Sequence, residues 1–242
     1  MKTYALEVKF TNNGNENRLY PVILQDDHNM ILVDCGYAGF MPLIEAAMNA
    51  HGLSLQKLTG IIITHHDIDH IGGLHEIKEK YPDIKIYAPE AEEPYISGKA
   101  KSLRLIQAEN THALLPENQQ PAAFQFQEFL KTVRPVEVDV TFSEGNLPFL
   151  DGVEIIHTPG HMPGHISLYL NHDKTLISAD ALVYENGELE IANPQYCLDL
   201  PQAVASVKKI IQYDVNKIIC YHGGLVKHDI QSKLTTLLSK YL

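Results

Sequence analysis

Three short runs open the chain, Tyr4–Phe10, Leu19–Leu24 and Met30–Val33, separated by the turn-rich stretches Thr11–Asn17 and Asp26–Asn29. Their apolar and β-branched content predicts strands. Next, Phe40, Leu43, Ile44, Ala47 and Met48 recur at i, i+3, i+4, i+7 and i+8, the spacing of an amphipathic helix, and Gly52 closes it. Ile61-Ile62-Ile63 is wholly apolar and β-branched, which predicts a strand buried on both faces. It ends abruptly in Thr64-His65-His66-Asp67-Ile68-Asp69-His70-Ile71-Gly72-Gly73. A helix is expected to follow as far as Tyr81, stopped by Pro82, before Ile84–Tyr87 returns as a strand.

The stretch Pro89–Pro135 carries Pro, Glu and Gln clusters with scattered apolar positions, and is read as a mostly helical insertion over one edge of the domain. Strands resume at Val136–Phe142, Val153–His157, Ile166–Leu170 and Thr175–Ser178. Asp199 then caps a helix with Pro201 in its first turn and Val204, Val207, Ile210 and Ile211 on one face. Lys217–Cys220 is a final strand and Val226–Tyr241 a final helix. This order fits an α+β chain of two mixed sheets packed together with helices outside, a four-layer αββα sandwich. By pattern alone, a three-layer α/β fold fits nearly as well.

Composition narrows the functional classes. A chain of 242 residues, 45% hydrophobic, is expected to form a single domain with a substantial core. No apolar stretch approaches the ~20 residues of a membrane-spanning helix, and Met1–Phe10 lacks a signal peptide's apolar run, so a cytoplasmic protein with no membrane partner is expected. The net charge of −11 argues against nucleic acid as a partner. The three cysteines, Cys35, Cys197 and Cys220, form no CxxC pair, so neither a disulfide framework nor a thiolate zinc site is signalled.

The chemistry lies in four places where histidine or aspartate follows a strand. These are the His65–His70 run, His161 in Thr158-Pro159-Gly160-His161-Met162-Pro163-Gly164-His165, Asp180 in Ser178-Ala179-Asp180, and His222 in Cys220-Tyr221-His222-Gly223-Gly224. Loops held by a rigid sheet can converge on one point, and mixed imidazole and carboxylate ligands suit zinc, manganese or iron. Taken singly, each is more simply a loop or capping residue; their order along the chain is what carries the signal.

That order resembles the metallo-β-lactamase superfamily, whose pattern is T-H-x-H-x-D-H-x-G-G, then T-P-G-H-x-x-G-H, an aspartate after a strand, and a histidine before glycine. The early Ile31-Leu32-Val33-Asp34-Cys35-Gly36 is similar to the family's strand ending in Asp-x-Gly. The resemblance implies the αββα fold over residues 1–242, with 89–135 as the insertion. It also implies two divalent metal ions, zinc foremost, with manganese or iron as alternatives. His65, Asp67 and His161 would hold the first ion; Asp69, His70 and His222 the second; Asp180 would bridge them. One departure stands out: the family's second histidine is Asp67 here, a harder ligand that favours manganese or iron more than histidine does. His66 falls at a variable position and is not expected to be a ligand.

The implied activity is hydrolysis by a hydroxide bridging the two metals, with Asp69 or Asp180 relaying a proton. His165 and Tyr184 are candidate supporting or substrate-side donors. A small lactone or ester is the first-ranked substrate; thioester or phosphodiester hydrolysis, or an iron-dependent oxidoreductase of the same fold, is the alternative, the last kept open by Asp67. By analogy, a homodimer is expected.

Overall fold

The computed structural model describes residues 1–12 and 14–241. Strand β1 (Lys2–Ala5) leads into a hairpin of β2 (Val8–Asn12) and β3 (Asn15–Leu19), then β4 (Val22–Gln25), β5 (Met30–Val33), helix α1 (Met41–Ala50) and β6 (Gly60–Ile62). Helices α2 (Ile68–Ile71) and α3 (Leu74–Lys80) precede β7 (Lys85–Pro89). The insertion contributes α4 (Glu93–Ile96), α5 (Leu103–His112) and α6 (Gln120–Leu130) before β8 (Val140–Phe142). The second half runs β9 (Gly145–Asn146), β10 (Val153–His157), β11 (Ile166–Leu170), β12 (Thr175–Ala179), the hairpin β13 (Val183–Glu185) and β14 (Glu188–Glu190), α7 (Leu200–Ile210), β15 (Lys217–Cys220), β16 (Gly224–Val226) and α8 (Ile230–Ser239).

Two six-stranded sheets result, ordered β1-β4-β5-β6-β7-β8 and β16-β15-β12-β11-β10-β9. In the first, β5 through β8 run parallel; in the second, β12 and β15 are the parallel pair. Alternation along the strands makes four layers. On β5, Met30 and Leu32 pack with Ile44 and Met48 of α1 and Leu74 and Ile77 of α3. Their neighbours Ile31 and Val33 join Ile62 against Val153, Ile155, Leu168, Ile177 and Ile219 of the other sheet. The far face of that sheet, with Ile156, Leu176 and Ile218, is covered by Val207 and Ile210 of α7 and Leu234 and Leu237 of α8. The order is therefore helices, sheet, sheet, helices, the αββα alternative of the two the pattern allowed. Among the described residues, no helix is long and apolar enough to cross a membrane.

Five expectations need correction. The run Tyr4–Phe10 is split between β1 and β2, and the supposed turn Thr11–Asn17, whose residue 13 lies outside the described residues, largely belongs to the β2–β3 hairpin. Asn15–Arg18 are exposed on both faces, so they carry no alternation to mark a strand. The hairpin β13–β14 went unpredicted for a similar reason, being short and rich in glutamate. Only Val140–Phe142 of the expected strand Val136–Phe142 is extended and paired, and Gly224–Val226 is a strand that precedes the last helix.

Because Ile62 is wholly buried between the sheets, Ile62→Ala is expected to cost about 2–5 kcal/mol of stability in urea unfolding. A loss below about 1 kcal/mol would mean that the inter-sheet layer is not packed as described.

Candidate metal centre

The parallel strand β6 delivers the first cluster of side chains to one end of the sandwich. Asp34, at the end of β5 with a left-handed φ of 59°, accepts from the Thr64 N–H at 2.9 Å and the Thr64 hydroxyl at 2.8 Å. Its Oδ2 also lies 2.8 Å from His70 Nδ1. A carboxylate only accepts, so Nδ1 of His70 carries a proton and Nε2 is the ring nitrogen turned toward Asp180. Thr64 has given its proton to Asp34, so its oxygen accepts from His65 Nδ1 at 3.1 Å. The hydrogen-bond network thus holds both rings by Nδ1 and leaves their Nε2 atoms to face the site. Gly73 follows because the Cys35 carbonyl comes within 2.4 Å of where a Cβ would stand.

The second sheet supplies the rest. His161 follows β10, Asp180 follows β12, and His222 follows β15. Ala179 has φ 46° beside a register shift between β12 and β15. A non-glycine residue in that region is strained, and here it precedes the carboxylate that enters the site. His165 fixes the same loop. Its Nε2 accepts from the Asp180 N–H at 3.1 Å, so Nδ1 donates to Thr158 Oγ1 at 2.9 Å. Thr158 bonds Ser167 Oγ at 3.0 Å, and Ser167 donates to the Ser178 carbonyl at 3.1 Å. Both ring nitrogens are committed, so His165 positions Asp180 and is not a substrate contact.

The ligand atoms of His65, His161 and Asp180 lie within 4.8 Å of one another, as do those of Asp69, His70 and His222. Asp180 stands between the groups: its Oδ1 is 3.3 Å from His70 Nε2 and 3.5 Å from His222 Nε2, and its Oδ2 is 3.4 Å from His161 Nε2. Asp69 Oδ2 is 3.1 Å from His222 Nε2. The chemistry of this donor set fits divalent cations, because His65 Nε2, His70 Nε2 and Asp180 Oδ1 are buried without a hydrogen-bond partner among the described residues. Buried polar atoms rarely go unpaired, and three that converge from both sheets define a cation site.

Electrostatics point the same way. Burial alone would raise the Asp180 carboxyl, but the charges of His222 and His70 outweigh it and hold the group well below the usual carboxylate range. Burial pushes His65 well down, with His70 adding to the effect, so His65 is neutral and able to ligate. Burial likewise opposes charge on His161, yet its contact with Asp67 and a second with Cys197 raise it to about 9.

Asp67 stands beside the first group. Its Oδ2 is 2.8 Å from His161 Nε2 and 3.7 Å from His65 Nε2, but both oxygens also receive a fork from Arg104, at 3.0 Å (Nε to Oδ1) and 2.6 Å (Nη2 to Oδ2). The expected ligand is also the counter-ion of an arginine that no motif in the chain signals. Tyr184 is a correction. Along β13, Val183 and Glu185 line the pocket while Tyr184 points to the opposite face, where Lys233 lies 5.8 Å from its ring centroid. Tyr37 and Tyr196 are the tyrosines that line the pocket.

Further residues tie the site together. His66, unlike its neighbours, is turned away: its Nδ1 pairs with the buried Glu92, its backbone N–H donates to Glu92 Oε2 at 3.0 Å, and its Nε2 accepts from the Leu103 N–H at 3.2 Å. Glu92 Oε1 also accepts from the Gly164 N–H at 2.8 Å; a Cβ at Gly164 would stand 2.5 Å from that oxygen, which explains the glycine. Tyr221 donates to the Asp69 carbonyl at 2.6 Å and accepts from the Gly36 N–H at 3.1 Å, while its ring packs 4.0 Å from His70. Of these, only Gly164 is a fixed position of a motif quoted above.

A sandwich with imidazole and carboxylate groups gathered at the strand ends of both sheets defines a metal-dependent hydrolase. The family described as the metallo-beta-lactamase superfamily matches residues 20–222, and the chain belongs to that superfamily. Among its relatives, the probable metallo-hydrolase YflN of Bacillus subtilis (strain 168) is 27% identical over 233 residues, 89% of this chain and 83% of the relative. An N-acyl homoserine lactonase of Bacillus sp is 31% identical over 129 residues, 51% of this chain and 49% of that protein. Among solved structures, the metallo-beta-lactamase family protein TTHA1429 from Thermus thermophilus shares the fold, with a TM-score of 0.75 at 20% identity over 99% of this chain and 79% of that one.

His165 yields a pH prediction for the metal-free protein. Burial and the neighbouring His161 lower it to about 3, whereas the unfolded chain takes up a proton near pH 6.5. Its contribution to stability is therefore complete above about 6.5 and lost as the pH falls toward 3, with a slope approaching ~1.4 kcal/mol per pH unit. Urea unfolding between about pH 7 and pH 4.5 should show a shallower acid loss in His165→Gln than in the wild type. Equal slopes would contradict the neutral, doubly bonded ring.

Proposed function

We propose that this chain hydrolyses a small lactone or ester, using divalent cations held by His65, His161, Asp180, Asp69, His70 and His222. Two ligand groups fit two ions with Asp180 between them, and the mixture of imidazole and carboxylate suits zinc, manganese or iron. When bound, such ions bring water's pKa toward neutrality and polarise the scissile carbonyl. The observation that carries the substrate class is the pocket above these groups, a cavity of about 310 Å³. Its walls, Ile68, Phe126, Leu130, Val183 and Tyr196, are apolar, while its floor is acidic, with Asp67, Asp69 and Asp180. The apolar walls favour a substrate with an apolar acyl portion. The partial similarity to an N-acyl homoserine lactonase supports the same reading.

The chain's own residues have separable roles. Asp180 and Asp69 are the carboxylates at the floor, placed to accept and return a proton at their Oδ atoms as the ester oxygen leaves. Burial raises Tyr37 far above the ordinary phenol value, with Asp69 and Asp180 adding to the shift, so it stays protonated and offers a donor rather than an anion to the pocket. The oxidoreductase alternative depended on Asp67 as a hard iron ligand. With both its oxygens engaged by Arg104, that feature no longer favours it.

Metal-loaded protein assayed against lactones, esters, thioesters and phosphodiesters is expected to give its highest kcat/KM on an acyl lactone or ester. Phosphodiesters turned over faster than every ester would overturn the substrate class. His161→Ala and Asp180→Ala should each lower kcat by at least about a hundredfold and reduce the metal bound at saturation. Full activity in either variant would remove the assignment.

A further inference from the structure

The two ligand groups differ in a way that the donor set alone does not reveal. Arg104, at the start of α5, is only 3% exposed, and its guanidinium is fully satisfied. Nε and Nη2 fork onto Asp67, Nη1 donates to Gln107 Oε1 at 2.5 Å and to the Tyr196 carbonyl at 2.6 Å, and the Tyr196 ring lies 5.3 Å away. The backbone beneath it is fixed too. The Ser102 hydroxyl caps α5, and the Leu103 N–H is bonded to His66, which in turn is stacked on Tyr95 at 4.3 Å. A buried guanidinium with every donor placed is a built feature, since an arginine is withdrawn from water only at large cost unless paired.

This cation stands at one ligand group only. Nη2 lies 3.3 Å from His161 Nε2, the nitrogen that faces Asp180. If that nitrogen is protonated it donates to Asp67; if not, it accepts from Arg104. In either case its lone pair is not free while Arg104 stays. At the other group, no lysine or arginine among the described residues forms an ion pair with Asp69 or with Asp180, and His70 Nε2 is unpartnered.

We propose that Arg104 is a built-in competitor for the cation at the His65–His161 end. The chain then takes up divalent ions in two unequal steps. The first ion binds tightly at Asp69, His70 and His222. The second must displace the guanidinium from Asp67 and His161, and binds on the order of a hundredfold more weakly. The fraction of fully loaded enzyme is accordingly set by free metal concentration. This inference rests on the metal-dependent reading above and goes beyond it by ranking the two sites.

The test is calorimetric titration of Zn²⁺, and separately Mn²⁺, into the chelator-stripped full chain, with metal content after dialysis as a second readout. Wild type is expected to show two steps about a hundredfold apart and to retain one ion per chain after dialysis. Two neighbouring ions repel in any protein, so the diagnostic is how the gap depends on Arg104. Arg104→Met should narrow the gap to within about tenfold, while Arg104→Lys, which keeps the charge but loses the fork, should narrow it less. Because Arg104→Met leaves Asp67 without its partner and could fold poorly, the double variant Arg104→Met/Asp67→His provides a second route, with two ions expected at similar affinity. Equal affinities in wild type, or a gap unchanged in both the single and the double variant, would overturn the inference while leaving the hydrolase reading intact. Failure of the wild type to bind any ion would overturn both.

Discussion

The join between the two sheets is organised around anionic charge withdrawn from water. Asp34, Asp67, Glu92 and Asp180 are all buried there, and a buried carboxylate is costly unless donors or cations face it. Asp34 is met by Thr64 and His70, Glu92 by His66 and Gly164, and Asp67 by Arg104 and His161. Asp180 alone of the four retains an oxygen with no hydrogen-bond partner. The three satisfied carboxylates fix rings and loops in place; the fourth is left with capacity for a cation, and it lies between the two sets of histidines.

The fold was legible where burial imposes a pattern. Met30–Val33 and Ile61–Ile63 are apolar on both faces because each lies between a helical layer and the opposing sheet, and no other environment calls for such runs. The hairpin β2–β3 and the strand pair β13–β14 were illegible because they are short and mostly exposed, with only a few buried residues such as Val8, Leu19, Val183 and Leu189. Asp180 and the five histidines and aspartates grouped around it were visible through their motifs, each shortly past a strand. The motif also set Asp67 among them, since an aspartate in that position is chemically competent to ligate.

What sequence could not supply was the partner that changes Asp67's situation. Arg104 lies 37 residues further on, in an insertion whose sequence carries no motif, and only the packing of α5 over the mouth brings it in. Tyr184 fails for a more local reason. Proximity to Asp180 in sequence made it a candidate, but on a strand the side chains of neighbours diverge, so Val183 and Glu185 face the cavity and Tyr184 does not. Long-range ion pairs and the sense of a strand's pleat are both settled by tertiary structure.

The phenol of Tyr221 gives the architecture a property that goes beyond holding a ring in place. It extends from one sheet and bonds main-chain groups on two separate segments that follow strands of the other, Gly36 and Asp69 of α2, while its face supports His70. Sliding or rotation of the sheets against each other would have to break both bonds at once. The tyrosine therefore acts as a calibrated strut: it ties the distance between half-sites contributed by the two ends of the polypeptide to a covalent length, the span of one phenol side chain.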